Sequence, residues 1–420
     1  MKTYNILEKY LPKTVYKPVY EKVELIPADL NYSINQIRKF SSEDFDSFCE
    51  TLRIHLLELY TSGHGVFYSN NSAAEIIDNF RELINIDVVK YISYQNGKKI
   101  IKRDSFNQAN QWFPEMADVK VINKSMVDQL RDSKIFRQNI YDILIKDRHK
   151  RGEESNGMAR ISEFIIDSLR IVNKFQPVFN FPSTIAKFIY TTVISRDMDK
   201  NEWYILDNSL GWAGRLVGLL STASNPICND KIIHYYGTDV NQATKGRFED
   251  IINFWNENID TGINDKFDFY RSFEPAETLL NDLIFQGMEG CFDFSFTSPA
   301  YFDREKYSDD ENQSYKKFPT YDEWRDGFLR GLIENTYKLL KPNSEFWLNI
   351  SDIATNRSRD EFYPLQDDAI RIAESVGFKH VDTLYLATHT FPGYRPKVNI
   401  INDGGKIKKY EPVFCFRKGE

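Results

Sequence analysis

Cysteine and histidine are scarce in this chain, with four and six residues respectively among 420. Cys49, Cys228, Cys291 and Cys415 are scattered without metal-site spacing, which argues against a zinc-ribbon arrangement and for a reducing, cytoplasmic compartment. The histidines are equally dispersed and form no HExxH pair, so no metal site is expected. No apolar run reaches the roughly 18 residues that a membrane-spanning helix needs. The opening MKTYNILEKY lacks the apolar core of a signal peptide, and no secretory leader is expected. Internal repeats, low-complexity tracts and Pro-Cys pairs are also missing.

What is present is a large apolar inventory. A hydrophobic content of 41% with 15% aromatics can bury a sizeable core, and the length suits two domains. The net charge of -7 weighs against a nucleic-acid partner, but the average hides an uneven distribution. Lys90 to Lys174 carries roughly 17 basic against roughly 11 acidic side chains, and Arg395, Lys397, Lys406, Lys408 and Lys409 form a second basic cluster. Most such clusters are solvated faces; an acidic protein can still hold DNA through a local basic groove.

The pattern divides the chain near NKFQPVFNFPS. Residues 1 to 30, with prolines at 12, 18 and 27, read as an extended arm. Residues 31 to 175 read as mainly helical: Phe45, Phe48, Leu52, Leu56 and Leu59 form one stripe, and further helical patterns follow from residue 74. Asn96-Gly97 within VVKYISYQNGKKIIKRD signals a hairpin. From 176 to 420, short apolar runs (WYILD, IIHYYGTD, KFDFY, FDFSFTS, EFWLNIS, HVDTLYLAT, PVFCFRK) alternate with helix-length segments, including AETLLNDLIFQ. That alternation predicts an α/β domain with a mostly parallel sheet and helices on both faces.

Ligands of such sheets bind at the carboxyl ends of strands. Three ends carry polar or glycine-rich punctuation. In YILDNSLGWAGR, Asp207 closes a strand, and Gly211 and Gly214 follow before a helix; the glycines would let backbone approach a ligand. In HYYGTDVNQ, Asp239 closes the next strand, where a carboxylate can accept both hydroxyls of a ribose or simply cap the following helix. In FDFSFTSPAYFD, a strand runs into a small hydroxyl, a proline and two aromatics, an order no packed core requires.

TSPAYFD resembles the Asp/Asn/Ser-Pro-Pro-Tyr/Phe signature of DNA amino-methyltransferases, and LDNSLGWAGRL resembles their glycine-rich cofactor motif. FNFPSTIAKFIYTTVI is similar to the helix preceding that motif. YKLLKPNSEFWLNISDI resembles their fifth-strand region, and VGFKHVDTLYLAT with KYEPVFCFRK their closing antiparallel strands. The resemblance covers residues 176 to 420. It implies a Rossmann-like class I methyltransferase sheet with a reversed last strand, S-adenosylmethionine as cofactor, DNA as partner, and transfer to adenine N6 or cytosine N4.

By that resemblance Asp207, Gly211, Gly214 and Asp239 bind the cofactor, while Ser298, Pro299 and Tyr301 are catalytic. An aromatic amine is a poor nucleophile because its lone pair is delocalised into the ring; acceptors held against its hydrogens favour the nucleophilic geometry. The Ser298 hydroxyl and Pro299 carbonyl would be those acceptors, and Tyr301 would stack on a base flipped from the duplex. Ring-carbon methylation would need a cysteine nucleophile beside a proline, which the missing Pro-Cys pair excludes. Ala300 and Ala213 depart from the family's usual proline and glycine, and Asn208 replaces a frequent proline. Phe302, Asp303 and the loop REKYSDDENQS would cover the base. Glu274 stands either near the cofactor's adenine or at an exposed helix start, and Trp212 either lines the pocket or packs in the core. Two alternatives stay open: an RNA or protein-amide methyltransferase on the same fold, and a catalytically impaired DNA-binding relative.

Overall fold

The computed structural model describes residues 20–68, 70–95, 98–101, 108–121, 123–145, 165–170, 172, 175, 178–355, 361–387, 400–403 and 406–420. Two compact units emerge: residues 1–76, 108–179 and 305–307 in the first, and 77–107, 180–304 and 308–420 in the second. The sequence places one boundary near 176. The structure assigns the additional stretch 77–107 to the second unit, because its strands pair there rather than within the first.

The first unit is organised by helix α1 (Ser42–Thr61), whose Ser41 cap accepts from the Asp44 N–H. Phe45, Phe48, Leu52 and Leu56 face its core as the spacing predicts. Tyr60 continues the stripe in place of Leu59, which lies half-buried, because the apolar seam advances by four residues rather than three there. Helix α2 (Ala73–Asn85) begins in this unit and ends in the second. Helix α3 (Ser133–Ile140) passes into a π-turn over Tyr141–Ile145. Between them, Val88–Tyr91, Gln108–Trp112 and Pro114–Asp118 are 3-10 turns, in a region the sequence reads as mainly helical around one strand pair. The hairpin is present as β1 (Ile92–Gln95) and β2 (Lys98–Ile101), antiparallel; its Asn96-Gly97 turn lies outside the described residues.

The second unit is built on β3 (Glu202–Asp207), β4 (Ile232–Thr238), β5 (Phe267–Ser272), β6 (Phe292–Thr297), β7 (Leu340–Asn349), β8 (Phe378–Ala387) and β9 (Lys406–Lys418). The sheet order is β1-β2-β8-β9-β7-β6-β3-β4-β5, with Ile400–Asp403 also paired to β9. All neighbours from β5 to β7 are parallel, and β9 alone runs antiparallel between β7 and β8. The expected α/β sheet with a reversed last strand is therefore present. Strand β2 adds itself parallel to β8 and extends the sheet beyond the expectation.

Helices flank the strands. Helix α4 (Ser183–Ile194) packs on α5 (Gly214–Ala223), and α6 (Arg247–Asn258) follows β4. Gly218 permits the α4–α5 approach, since a Cβ there would lie 2.4 Å from that of Ala186. Helices α7 (Arg330–Leu339) and α8 (Leu365–Val376) join the core of Phe292, Phe346, Leu348, Phe414 and Phe416. AETLLNDLIFQ forms only a 3-10 turn at Ala276–Asn281, distorted at Thr278. The Asp282 carboxylate ends it by accepting from Ser272 Oγ at 2.5 Å and the Ile284 N–H at 2.9 Å.

Lys187 on α4 is 1% exposed and donates to the Leu83 carbonyl at 2.6 Å and to that of Ile84, capping the end of α2. Burial pulls its pKa down to about 8 from 10.5. Between these values the unfolded chain holds a proton that the folded one has released, so stability should rise with pH across this window. The slope should approach at most about 1.4 kcal/mol per pH unit and should diminish in Lys187→Met, as read by urea titrations from pH 8 to 10. Equal slopes in both proteins would show that Lys187 keeps its ordinary pKa.

Candidate functional site

The carboxyl ends of β3 and β6 lie side by side, because Ile205 pairs with Phe294 and Leu206 with Ser295. Strand order reverses at this point, with β4 and β5 on one side and β7 on the other. Open α/β sheets form their ligand crevice at such a switch.

The glycine-rich loop leaves β3 here. Gly211 has φ +59° and Ala213 φ +58°, so the loop turns twice through the left-handed region before α5. Ala213 thus holds a conformation that glycine would adopt with less strain. Gly214 has a steric reason to lack a side chain: a Cβ would sit 2.0 Å from the Phe181 carbonyl oxygen and 2.5 Å from Asn180 Oδ1. Asn180 clamps the turn, donating from Nδ2 to the Trp212 carbonyl at 2.6 Å and accepting the Gly214 N–H at 3.1 Å. Trp212 itself is buried.

Asp207 is fully buried beneath this loop. Its carboxylate accepts from Arg215 Nε at 2.7 Å, Tyr235 Oη at 2.7 Å, Thr297 Oγ1 at 3.0 Å and the Ser209 N–H at 3.1 Å. Arg215 also donates to the Ser209 carbonyl and lies over the rings of Phe181 and Phe296. The carboxylate is committed to internal partners and ties the loop to Thr297, the residue before Ser298.

Asp239, at the end of β4, is half-buried. Its Oδ2 accepts the Gly211 N–H at 2.8 Å and its Oδ1 the Asn241 N–H at 2.9 Å. Burial pushes the Asp239 carboxyl above its ordinary value, against the opposing pull of Arg271 and the two N–H groups. Next to it, Arg271 lies over the rings of Phe248 and Phe273 at 4.7 and 4.3 Å and donates to the Thr244 carbonyl at 2.8 Å. Glu274 Oε1 accepts from Thr278 Oγ1 at 2.6 Å.

The TSPAY turn leaves β6 with Pro299 buried and Ser298 and Tyr301 half-buried. Ser298 Oγ donates to Asn349 Oδ1 at 3.0 Å. Tyr301 Oη lies 3.4 Å from the same oxygen and 3.5 Å from the Asn349 carbonyl. Phe302 follows at φ +48°, an uncommon conformation for a bulky residue. Its ring is held against Tyr363, Tyr321 and Trp324, with centroids 5.2, 5.7 and 6.1 Å away, which fixes the exit of the turn. Among the described residues no group of His, Cys, Asp or Glu could hold a metal ion, and no helix is long and apolar enough to cross a membrane.

No family model and no curated protein matches the chain. Among solved structures it is similar to an inferred DNA modification methylase from Thermus thermophilus in complex with S-adenosyl-L-methionine, at 20% identity and a TM-score of 0.24. That match covers 34% of this chain and 51% of the other, so it spans about half of that protein's length. It is also similar to an S-adenosylmethionine-dependent methyltransferase from Methanosarcina mazei at 15% identity and a TM-score of 0.32, covering 54% of this chain and 97% of that one. A third is an O-methyltransferase from Thermotoga maritima, at 10% identity and a TM-score of 0.30, covering 60% and 70% respectively.

Within the site, sequence reasoning singled out both glycines, both acids and the TSPAY residues. It missed Asn180, Arg215 and Asn349. Asn180 precedes a proline-started helix in FNFPS, and Asn349 closes a strand in FWLNIS, so each carried the strand-end or helix-start signal used elsewhere. Arg215 carried none, because a basic residue in the first turn of a helix does not show in sequence that it turns back to a buried acid. The basic residues Arg395 and Lys397 lie outside the described residues; Lys406, Lys408 and Lys409 lie on β9.

Proposed function

We propose that this protein is an S-adenosylmethionine-dependent DNA methyltransferase acting on an exocyclic base amine. The observation that carries the reading is the adjacency of the glycine-rich loop and the TSPAY turn at the strand-order reversal. A cofactor on one and an amine on the other would meet for in-line transfer, and positioning would supply much of the rate.

S-adenosylmethionine would supply an electrophilic methyl group when bound. Asp239 would receive the ribose hydroxyls through lone pairs not taken by its two N–H donors, and Gly211 and Gly214 would let the backbone approach. Asp207, whose oxygens serve internal partners, would shape the loop rather than touch the ligand. Ser298 and the Pro299 carbonyl would accept the amine hydrogens, and Tyr301 would stack on the base. The substrate nitrogen would take the methyl group directly, leaving a neutral thioether, and would shed its proton to solvent, so no covalent enzyme intermediate is needed. In the family that the sequence resembles, serine at the first motif position is found more often in cytosine N4 enzymes than in adenine N6 enzymes, while the turn itself suits both bases. The basic excess in residues 90 to 174 would favour a phosphate backbone.

Asp239→Ala should weaken cofactor binding by about 1–3 kcal/mol in calorimetry, with the fold retained. An unchanged affinity would place the ribose elsewhere. The function itself is tested by incubating DNA with the protein and tritiated cofactor, then digesting to nucleosides for mass spectrometry. N6-methyladenine or N4-methylcytosine is expected, and Ser298→Ala should lower transfer by about 10²-fold or more while binding cofactor normally. Methyl transfer to RNA or protein alone would replace the DNA reading, and cofactor or DNA binding without transfer would favour an impaired relative.

A further inference from the structure

Asn349 is 2% exposed at the end of β7, and nothing in the proposed chemistry requires an amide there. Its two ends are both engaged. Nδ2 donates to the Pro412 carbonyl on β9 at 2.9 Å, a buried hydrogen bond. Oδ1 accepts from Ser298 Oγ at 3.0 Å. A carbonyl can only accept, so the Pro412 contact fixes which end of the amide is nitrogen, and the Ser298 contact then has one possible direction.

We infer that Asn349 is a positioning residue that holds the Ser298 hydroxyl as a hydrogen-bond acceptor towards the substrate, selecting an N–H donor such as an exocyclic amine. This rests on the methyltransferase reading above. A free serine hydroxyl is both donor and acceptor and rotates to suit its surroundings. Here its single proton is spent on Asn349, leaving only lone pairs for a ligand. An amine presents hydrogens to such a group and gains a bond. A ring carbonyl at the same place presents lone pairs and is left unpaired in a partly buried site, which discriminates strongly against it. Tyr301 Oη lies 3.4 Å from the same oxygen, so one amide oxygen faces both Ser298 and Tyr301 of the motif. Pro412 places the origin of this arrangement on the antiparallel last strand, remote in sequence from the turn it serves.

The test is a double-mutant cycle on the full chain, with Ser298→Ala, Asn349→Ala and the double variant. Transfer to DNA is measured under saturating cofactor, with cofactor affinity and melting temperature read in parallel. Asn349→Ala is expected to lower kcat by about tenfold to thirtyfold, the loss of one oriented hydrogen bond, with cofactor affinity within about twofold of wild type. In the Ser298→Ala background the same change should cost no more than about twofold, because the residue through which it acts is gone. Asn349→Val, which suits a strand and removes both hydrogen bonds, serves as the second variant if alanine unfolds the protein. Multiplicative losses in the double variant, or a wild-type kcat in Asn349→Ala and Asn349→Val, would overturn the inference while leaving Ser298 as an acceptor. A wild-type rate in Ser298→Ala alone would instead overturn the reading on which it rests.

Discussion

Methionine in place of Arg215 is expected to lower the unfolding free energy by about 3–5 kcal/mol. The substitution keeps much of the side chain's volume and removes its charge, leaving Asp207 fully buried with Tyr235, Thr297 and the Ser209 N–H as partners. A buried carboxylate without its cation either stays ionised at high cost or takes up a proton and loses acceptor capacity. Adding Asp207→Asn should recover part of the loss, because the uncompensated charge is then absent. Urea unfolding of the three variants measures both effects. A loss under about 1 kcal/mol for Arg215→Met would mean that solvent reaches Asp207 and the pair contributes little.

Alanine at Gly214 is the second large effect. The added carbon would lie 2.0 Å from a backbone oxygen, which cannot rotate away as a side-chain tip could. The Asn180 clamp must open or α5 must shift, and the cost should reach about 3 kcal/mol with a matching loss of cofactor affinity. Gly246 provides the contrast. Its φ is +80° but no atom lies within 4 Å of its would-be Cβ, so Gly246→Ala should cost only the left-handed penalty of about 1 kcal/mol. Comparable losses at the two positions would show that strain rather than the close approach sets the price at Gly214.

The sheet was legible because parallel strands bury both faces and read as unbroken apolar runs, as WYILD and IIHYYGT do. Gly211 was legible as a turn, and the TSPAY stretch through its incongruity with a packed core. Asp207 shows where such reading ends. An acid closing a strand looks the same whether it faces a ligand or a buried arginine, and only the position of Arg215 eight residues on decides between them. The helix expected over AETLLNDLIFQ failed for a related reason: Asp282 serves as a turn acceptor for Ser272 and Ile284, and periodicity does not register that competition. The Asn349–Ser298 contact joins the end of one strand to the turn after another, a relation no local pattern contains.

Strand β2 pairs with β8 through Lys99–Leu384, Ile100–Tyr385 and Ile101–Leu386, so an early segment is completed by a very late one. During synthesis the residue 77–107 segment leaves the ribosome long before its partner exists. Phe80, which ends 4.8 Å from Trp255, and the α2 carbonyls awaiting Lys187 must likewise wait for later sequence. Contacts this distant along the chain close slowly, and a hairpin whose Ile100 and Ile101 await burial is open to wrong partners in the interval. A fragment begun near residue 176 would bring the opposite hazard: Leu384, Tyr385 and Leu386 of β8 would lose their β2 partners and become a bare edge, prone to pairing between molecules. Soluble expression of a fragment holding residues 176–420 should therefore depend on supplying residues 77–107, whether fused or co-produced.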